Sequence, residues 1–393
     1  MLTLSPPWPG RLLFILLAAT ATSAWAGDDA KAMIARIEAP QPASKNGLDA
    51  LDLQALLARL KVPGLSIAVI KYFKLHWVKA YGVADAETGR MVDTGTRFQS
   101  ASLSKPVTAL GAMRLVQEGR FTLEADVNTL LTSWKVPRSD LTGSLPVTPR
   151  ALLSHASGAD DGFDFPGYDL KAPLPTLVQI LDGRPPSNVG NVAFARAPFT
   201  ASKYSGGAFT ILQLALAEVS GRSFAPFMHA NVLAPLQMTS SSFEQPRTVG
   251  GNPNAAFAHD KEGRRMGPAW RLHPEQAAAG LWTTPGDLAS FVIEVQSALR
   301  GPRGKVLEQQ SAREMTAPVG VGPFAVGLKV EQHGDGWYFS HSGANWGYRA
   351  WMTGHLRKGY GMVIMTNSDG GMALMNQVAG RVSTAYGWDQ DSK

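Results

Sequence analysis

The chain contains no cysteine among its 393 residues. A thiol nucleophile is therefore excluded. Disulfides are excluded as well, so the fold must depend on the burial of apolar side chains. Charged residues make up only 17% of the sequence, below the roughly 25% that is typical of soluble domains. Hydrophobic residues reach 45%, which indicates a globular protein with a large core and no disordered tract.

Long apolar runs are absent after residue 26, so no stable membrane span is expected in the rest of the chain. Before that point, Arg11 precedes the apolar stretch Leu12–Thr20, and Ala24-Trp25-Ala26 has the small residues of a cleavage site. This pattern is typical of a signal peptide, and its apolar stretch is too short to cross a bilayer. We expect residues 1–26 to be removed after Ala26, giving a periplasmic or secreted protein.

The sequence also has no pattern that predicts a nucleic-acid or metal site. The formal net charge is +6, but no basic stripe with interleaved aromatic residues is present. Nucleic acid is therefore not an expected partner. The eight histidines show neither H-x-H nor H-E-x-x-H spacing, so we expect no metal and no cofactor. A small molecule remains as the expected ligand.

The residue patterns at the two ends of the chain differ from those in the middle. Residues 30–60 are predicted to be helical with a polar break, and Leu65–Ile70 and Leu75–Tyr81 are predicted to form a β-hairpin. Thr284-Pro285-Gly286-Asp287 has the cap and first-turn proline that open a helix. Near the end of the chain, a three-stranded meander and a last helix are predicted at Gly336–Ser342, Tyr348–His355, Gly361–Asn367 and about Met372–Ala385.

Strands at both ends with helices between them predict an α+β fold. One antiparallel sheet is formed from the N- and C-terminal segments and is flanked by helices. A mainly helical lobe, at about residues 121–279, is inserted between these segments, where short helices alternate with Pro/Gly-rich loops. Residues 27–393 are expected to form one domain.

The tetrad Ser102-Leu103-Ser104-Lys105 opens an almost uniformly apolar helix that is expected to stop near Gly119. Such a helix is normally buried, and Pro106 fits only in its first turn. Residues three apart share a helix face, so Ser102 and Lys105 point the same way. A hydroxyl beside a lysine that desolvation pushes toward neutrality makes a nucleophile and its base. Alternatively, Ser102 caps the helix and Lys105 extends to water.

Two later segments belong with this tetrad. Tyr204-Ser205-Gly206-Gly207 lies 99 residues after Lys105 and leads into an apolar helix, and His341-Ser342-Gly343 lies 137 residues after Tyr204 at the end of a predicted strand. The sequence also contains LLSHASG (152–158), AAAGLWTTPGDLA (277–289) and HSGANWGY (341–348).

Together these segments resemble, in order, the motifs of the serine β-lactamase and penicillin-binding-protein superfamily, and most closely its class C and esterase-like branch. The resemblance implies that Ser102 attacks a carbonyl and forms an acyl-enzyme. Lys105 would take the serine proton or hold the tyrosine ionised, and Tyr204 would act as general base or acid. His341 would take the place of the cation in the third motif. Backbone N–H groups of Ser102 and Ala344 would form the oxyanion hole.

The substrate pocket is predicted to include Gly343, which ends the third motif, and the aromatic residues Trp346 and Tyr348, which follow it. Alternatively, these aromatic residues serve in packing. The acidic, aromatic loop of residues 160–165 is either a second wall of the entrance or a solvated loop. His155, in LLSHASG, is interpreted as a hydrogen-bonded structural residue rather than a catalytic one.

Two departures from the superfamily pattern bear on the substrate. The third residue of the Y-x-N motif is Gly206, so a side-chain amide that β-lactamases use on the substrate is missing. His341 replaces the lysine of the third motif, and an unperturbed histidine is mostly uncharged at neutral pH. The resulting hypothesis is a carboxylesterase-like serine hydrolase. The alternatives are a β-lactamase or a D-amino-acid peptidase acting on cell-wall peptides, and a non-catalytic binding protein on the same scaffold.

Overall fold

The fold is described from a computed structural model, which covers residues 29–42, 47–143, 145–161 and 165–389. The predicted signal peptide, residues 1–26, lies outside the described residues. Within the described part, no helix is both long and apolar enough to cross a membrane.

Eleven strands occur in the described residues, and seven of them form one antiparallel sheet in the order β3-β2-β1-β11-β10-β9-β8. The strands are β1 Gly64–Lys71, β2 Lys74–Asp85, β3 Arg90–Met91, β4 Phe98–Gln99, β5 Ala159–Asp160, β6 Ala193–Phe194, β7 Trp282–Thr283, β8 Lys329–His333, β9 Gly336–Asn345, β10 Tyr348–His355 and β11 Gly361–Thr366.

Helices cover both faces of this sheet. They are α1 (residues 29–38), α2 Leu53–Leu60, α3 Ser104–Gln117, α4 Asp140–Gly143, α5 Pro149–Leu153, α6 Leu177–Leu181, α7 Gly206–Ser220, α8 Phe224–Met228, α9 Gln276–Ala279, α10 Pro285–Arg300, α11 Gln309–Thr316 and α12 Gly371–Tyr386. A short 3₁₀ turn, Ala101–Leu103, leads directly into α3.

The centre of the sheet joins the two ends of the chain, as predicted. Strand β1 pairs with β11, with Leu65 opposite Thr366, and its other edge pairs with β2 in the predicted hairpin. Side chains of β1 alternate between two cores, because successive residues of a strand point to opposite faces. Ile67 belongs to the core that includes residues of α2 and α12, whereas Ala68 belongs to the core that includes residues of α3, α7 and α10.

Helix α10 begins where the sequence predicts. The Thr284 side chain accepts a hydrogen bond from the Asp287 N–H at 3.2 Å, and Pro285 takes the first helical position. The helix packs across β1, β2, β10 and β11. The α+β fold with a large antiparallel sheet flanked by helices is therefore confirmed.

Two features of the C-terminal strands differ from the prediction. The sheet has an additional edge strand, β8, whose polar sequence KVEQH gave no strong strand signal. The turn between β9 and β10 is also shorter than predicted, since β9 runs to Asn345 and only Trp346 and Gly347 connect the strands. This register places Tyr348 opposite Asn345, and both side chains are buried.

Candidate active site

Ser102 lies in the 3₁₀ turn at the start of α3, not inside a regular helix. Ala101, the residue before it, has φ of 51°, a left-handed conformation that is uncommon for a non-glycine residue. Ser100 holds the turn in place, because its N–H and its hydroxyl both donate to the Leu281 carbonyl, at 2.9 and 3.0 Å. The turn presents the Ser102 side chain, which is half-buried, to a cavity.

Lys105 is buried beneath Ser102, with only 2% of its surface exposed. Its amine is 3.1 Å from the Ser102 hydroxyl and donates to the Ala278 carbonyl of α9 at 2.9 Å. Burial lowers the pKa of Lys105 from 10.5 to about 7, partly opposed by the negative charge of Asp161. A substantial fraction of the amine is therefore neutral near pH 7, and the neutral form can accept a proton.

Tyr204 reaches the same point from the N-terminus of α7. The side chain of Ser205 caps this helix by accepting from the Ala208 N–H at 2.8 Å. The Lys105 amine lies 4.8 Å from the centroid of the Tyr204 ring. Burial raises the pKa of Tyr204 above its ordinary value, opposed by a hydrogen bond with the Ser102 side chain. The phenol is thus protonated at neutral pH and in contact with Ser102.

Strand β9 closes the site opposite Tyr204. A Cβ at Gly343 would lie 2.3 Å from the Ser100 carbonyl oxygen, so only glycine lets the strand approach the Ser102 turn this closely. Ala344, the next residue, is exposed and lines the cavity together with Ser102. The two residues predicted to donate backbone N–H groups to an oxyanion therefore face one space.

His341 lines the cavity but is an uncharged group. Its side chain is 5% exposed, and its Nδ1 lies 2.7 Å from the Ser342 carbonyl oxygen, which assigns the ring proton to that nitrogen. Burial, with the positive charge of Lys105, lowers the pKa of His341 to about 3. The site therefore has no fixed cation at the position where the superfamily has lysine.

The cavity has a volume of about 720 Å³. Aromatic rings form much of its wall, and Arg271 stacks on Trp346 with 4.7 Å between the guanidinium carbon and the ring centroid. The predicted pocket residues Gly343 and Trp346 line it, as do Phe165 and Phe324.

Tyr348 does not line the cavity, and its predicted role in substrate binding is wrong. The side chain is completely buried, and its hydroxyl donates to the Ala256 carbonyl at 2.8 Å. The reason is the register of β10, in which Tyr348, Ala350 and Met352 share the face that points into the core.

Phe165 occupies the space beside Gly206. A Cβ at Gly206 would lie 2.1 Å from Cε2 of this ring, so a larger residue does not fit while Phe165 stays in place. Within the loop of residues 160–165, residues 162–164 lie outside the described part of the chain. Phe165 lines the cavity, so this end of the loop forms part of the cavity wall, as the first of the two predicted alternatives had it.

His155 and Asp161 contact the site in ways that sequence reasoning missed. The imidazole of His155 stacks on the Tyr204 ring, with 4.2 Å between centroids. Asp161 accepts hydrogen bonds from the Ser205 hydroxyl and the Gly207 N–H. The LLSHASG segment was the available signal for His155, but nothing local indicates which ring it contacts. Among the described residues, no group of three or more histidine, aspartate or glutamate side chains could hold a metal ion.

Comparison with known protein families decides where this arrangement belongs. A family model described as Beta-lactamase matches residues 51–383, which is most of the chain. The chain belongs to the beta-lactamase family. The match spans the segments that carry Ser102, Lys105, Tyr204 and His341, and it identifies the protein as a serine hydrolase.

The individual relatives and structural neighbours are distant in sequence from this chain. Esterase EstB of Burkholderia gladioli is 27% identical over 335 residues, covering 76% of this chain and 79% of EstB. The D-amino acid amidase of Ochrobactrum anthropi aligns with a TM-score of 0.67 and 20% identity, over 91% of this chain and 98% of the amidase. The D-alanine carboxypeptidase AmpC of Burkholderia cenocepacia aligns with a TM-score of 0.66 and 18% identity, over 92% of this chain and 99% of the carboxypeptidase. These two structural likenesses establish the fold.

Proposed function

We propose that this protein is an exported carboxylesterase that cleaves small ester substrates through an acyl-enzyme on Ser102. The observation that carries the proposal is that one hydroxyl contacts both a group that can accept its proton and a group that can donate a proton to the leaving alcohol. Ser102 is hydrogen-bonded to Lys105, whose pKa is lowered to about 7, and to Tyr204, whose pKa is raised.

In the acylation step, the neutral amine of Lys105 accepts the proton of Ser102 as the serine oxygen bonds to the ester carbonyl carbon. The developing oxyanion faces the backbone N–H groups of Ser102 and Ala344. The bond to the alcohol oxygen then breaks, and Tyr204 donates its proton to that oxygen. The lysine ammonium returns a proton to the phenolate. Water repeats the sequence in reverse, releasing the acid and restoring Ser102.

Two features of the cavity favour esters over β-lactams and peptides. The neutral His341 offers no fixed charge to a substrate carboxylate beside the reacting carbonyl. At Gly206 there is no side-chain amide to bind an acylamino group, and the ring of Phe165 occupies the adjacent space. Similarity to esterase EstB of Burkholderia gladioli supports the same preference.

A second candidate is hydrolysis of D-amino-acid amides or peptides. The fold likeness to the D-amino acid amidase and to the D-alanine carboxypeptidase favours it. A parallel assay with p-nitrophenyl butyrate, nitrocefin and a D-Ala-D-Ala peptide separates the candidates. We expect turnover of the ester alone, and rapid hydrolysis of either of the other compounds would overturn the ester assignment.

The nucleophile is tested separately from the substrate. A fluorophosphonate probe should label the wild-type protein, and Ser102→Ala should abolish labelling. Ser220→Ala is the control, because Ser220 is half-buried at the end of α7 with its hydroxyl on the Ala217 carbonyl, and it does not line the cavity. Labelling that persists in Ser102→Ala would remove Ser102 from the mechanism.

Export is part of the proposal and depends on the pattern of residues 1–26. Fractionation of cells that express the full chain should place the protein outside the cytoplasm, with a new N-terminus at Gly27. A cytoplasmic protein that retains Arg11 would contradict export without affecting the catalytic proposal.

A further inference from the structure

His155 lies directly against the ring of Tyr204. The two rings are stacked, with centroids 4.2 Å apart and planes inclined by 28°. The ring of Phe324 makes a T-shaped contact with the imidazole at a centroid distance of 4.6 Å. His155 is 1% exposed, so water does not separate it from the phenol. One face of the Tyr204 ring is therefore covered by a fixed aromatic surface.

His155 is also hydrogen-bonded to both chain neighbours of Tyr204. The Ser205 N–H donates to the imidazole Nδ1 at 3.1 Å, and the Lys203 N–H donates to the His155 carbonyl at 2.9 Å. The backbone of His155 adopts a left-handed conformation, with φ of 58°. Such a conformation persists only where the surroundings hold it, and it is concentrated at functional sites.

The imidazole of His155 is held in its neutral form. Because Nδ1 accepts from a backbone N–H, the one proton of the neutral ring lies on Nε2. Burial, together with the positive charge of Lys105 in its protonated form, lowers the pKa of His155 well below its ordinary value. The ring therefore stays neutral, and what it supplies is a surface and a hydrogen-bond acceptor.

We propose that His155 is a positioning residue for Tyr204. Its ring fixes the orientation of the phenol, and its two hydrogen bonds fix the backbone of residues 203–205, so that the phenol stays in contact with Ser102. This inference rests on the proposed role of Tyr204 in catalysis. Displacement of a reacting group by about 1 Å costs up to about a hundredfold in rate.

The test uses a variant that keeps the hydrogen-bond acceptor of His155 and removes its ring. His155→Asn places an amide oxygen near the position of Nδ1 and tolerates the left-handed backbone, but it removes the ring. We expect two rates to fall about tenfold, with KM changed less than twofold: labelling by a diphenyl phosphonate, whose phenoxide leaving group takes the proton of Tyr204, and kcat on ethyl butyrate. His155→Phe restores a ring without the acceptor and should recover part of this loss.

A matched control is available at His355. This residue is 4% exposed, its Nδ1 accepts from the N–H groups of Arg357 and Lys358 at 2.9 Å, and it does not line the cavity. His355→Asn therefore makes the same chemical change at a buried histidine that contacts no proposed catalytic group. It should alter Tm but not the labelling rate.

Combining His155→Asn with Tyr204→Phe distinguishes positioning from a general structural effect. If His155 acts through the Tyr204 hydroxyl, His155→Asn should slow labelling less than twofold in the Tyr204→Phe background. An equal, roughly tenfold effect in both backgrounds would overturn the proposal. Labelling does not depend on the natural substrate, so the result holds even if esters prove not to be substrates.

Discussion

Lys105→Met should reduce catalysis and raise stability at the same time. The lysine is 2% exposed in the core beneath Ser102, and burial lowers its pKa from 10.5 to about 7. The unfolded chain binds the proton more tightly than the folded protein, so the group favours unfolding at any pH below 10.5. Methionine has a similar length and no charge to desolvate.

The size of both effects follows from that pKa. A shift of 3.5 units corresponds to about 5 kcal/mol at or below pH 7. Removing the amine leaves the Ala278 carbonyl without this donor, which costs about 1–2 kcal/mol. The net stabilisation is then on the order of 3 kcal/mol. For catalysis, a base with pKa 7 is about half neutral at pH 7, whereas one with pKa 10.5 is neutral in about 0.03% of molecules.

Thermal unfolding at pH 6 and ester turnover from pH 5 to pH 9 measure the two effects. We expect Lys105→Met to unfold at a higher Tm than the wild type and to lose at least about a hundredfold in kcat. Wild-type kcat/KM should rise with pH through about 7, as the amine loses its proton. Lys79→Met is the control, because Lys79 is half-exposed and paired with Glu38. A lower Tm in Lys105→Met, or a wild-type rate independent of pH near 7, would refute the reasoning.

Three further predictions test other parts of the site. Tyr204→Phe removes the proton donor for the leaving alcohol and should lower kcat on an alkyl ester such as ethyl butyrate about a hundredfold with little change in KM; near-normal kcat would exclude the phenol from the mechanism. Gly206→Asn introduces a Cβ that overlaps the ring of Phe165, so it should lower ester turnover, whereas Phe165→Ala combined with Gly206→Asn should recover turnover and accept acylamino esters in the same assay. Tyr348→Phe removes a buried hydrogen bond and should lower the free energy of unfolding by about 1 kcal/mol, leaving kcat unchanged; a kcat that falls severalfold would return this residue to the substrate site.

The features that the sequence predicts correctly are those written in short segments. Three short segments contain the proposed catalytic residues: the Ser102 tetrad, the turn before α7 and the end of β9. The hairpin of β1 and β2 and the cap of α10 are likewise local. Segments at both ends of the chain that are rich in Val, Ile and aromatic residues, alternate in hydrophobicity or run apolar were sufficient to predict one sheet made from them.

The features that the sequence did not predict depend on contacts between distant segments. The stacking of His155 on Tyr204, and the packing of Phe165 on Gly206, join segments that only the folded chain brings together. For Tyr348, the strand bounds were predicted correctly, but which face of β10 points into the core depends on the helices and loops that pack against the sheet. Strand β8 was missed because an edge strand needs few apolar residues.

The position of β11 in the middle of the sheet has a consequence for how the molecule folds. Leu65 pairs with Thr366, which lies about 300 residues later in the chain. This central pairing therefore closes a very long loop, and its entropy cost is correspondingly high. During synthesis, β1 and β2 leave the ribosome long before the strand that completes them. The edge of β1 that will receive β11 is exposed until then, and an unpaired strand edge of this kind is prone to aggregation.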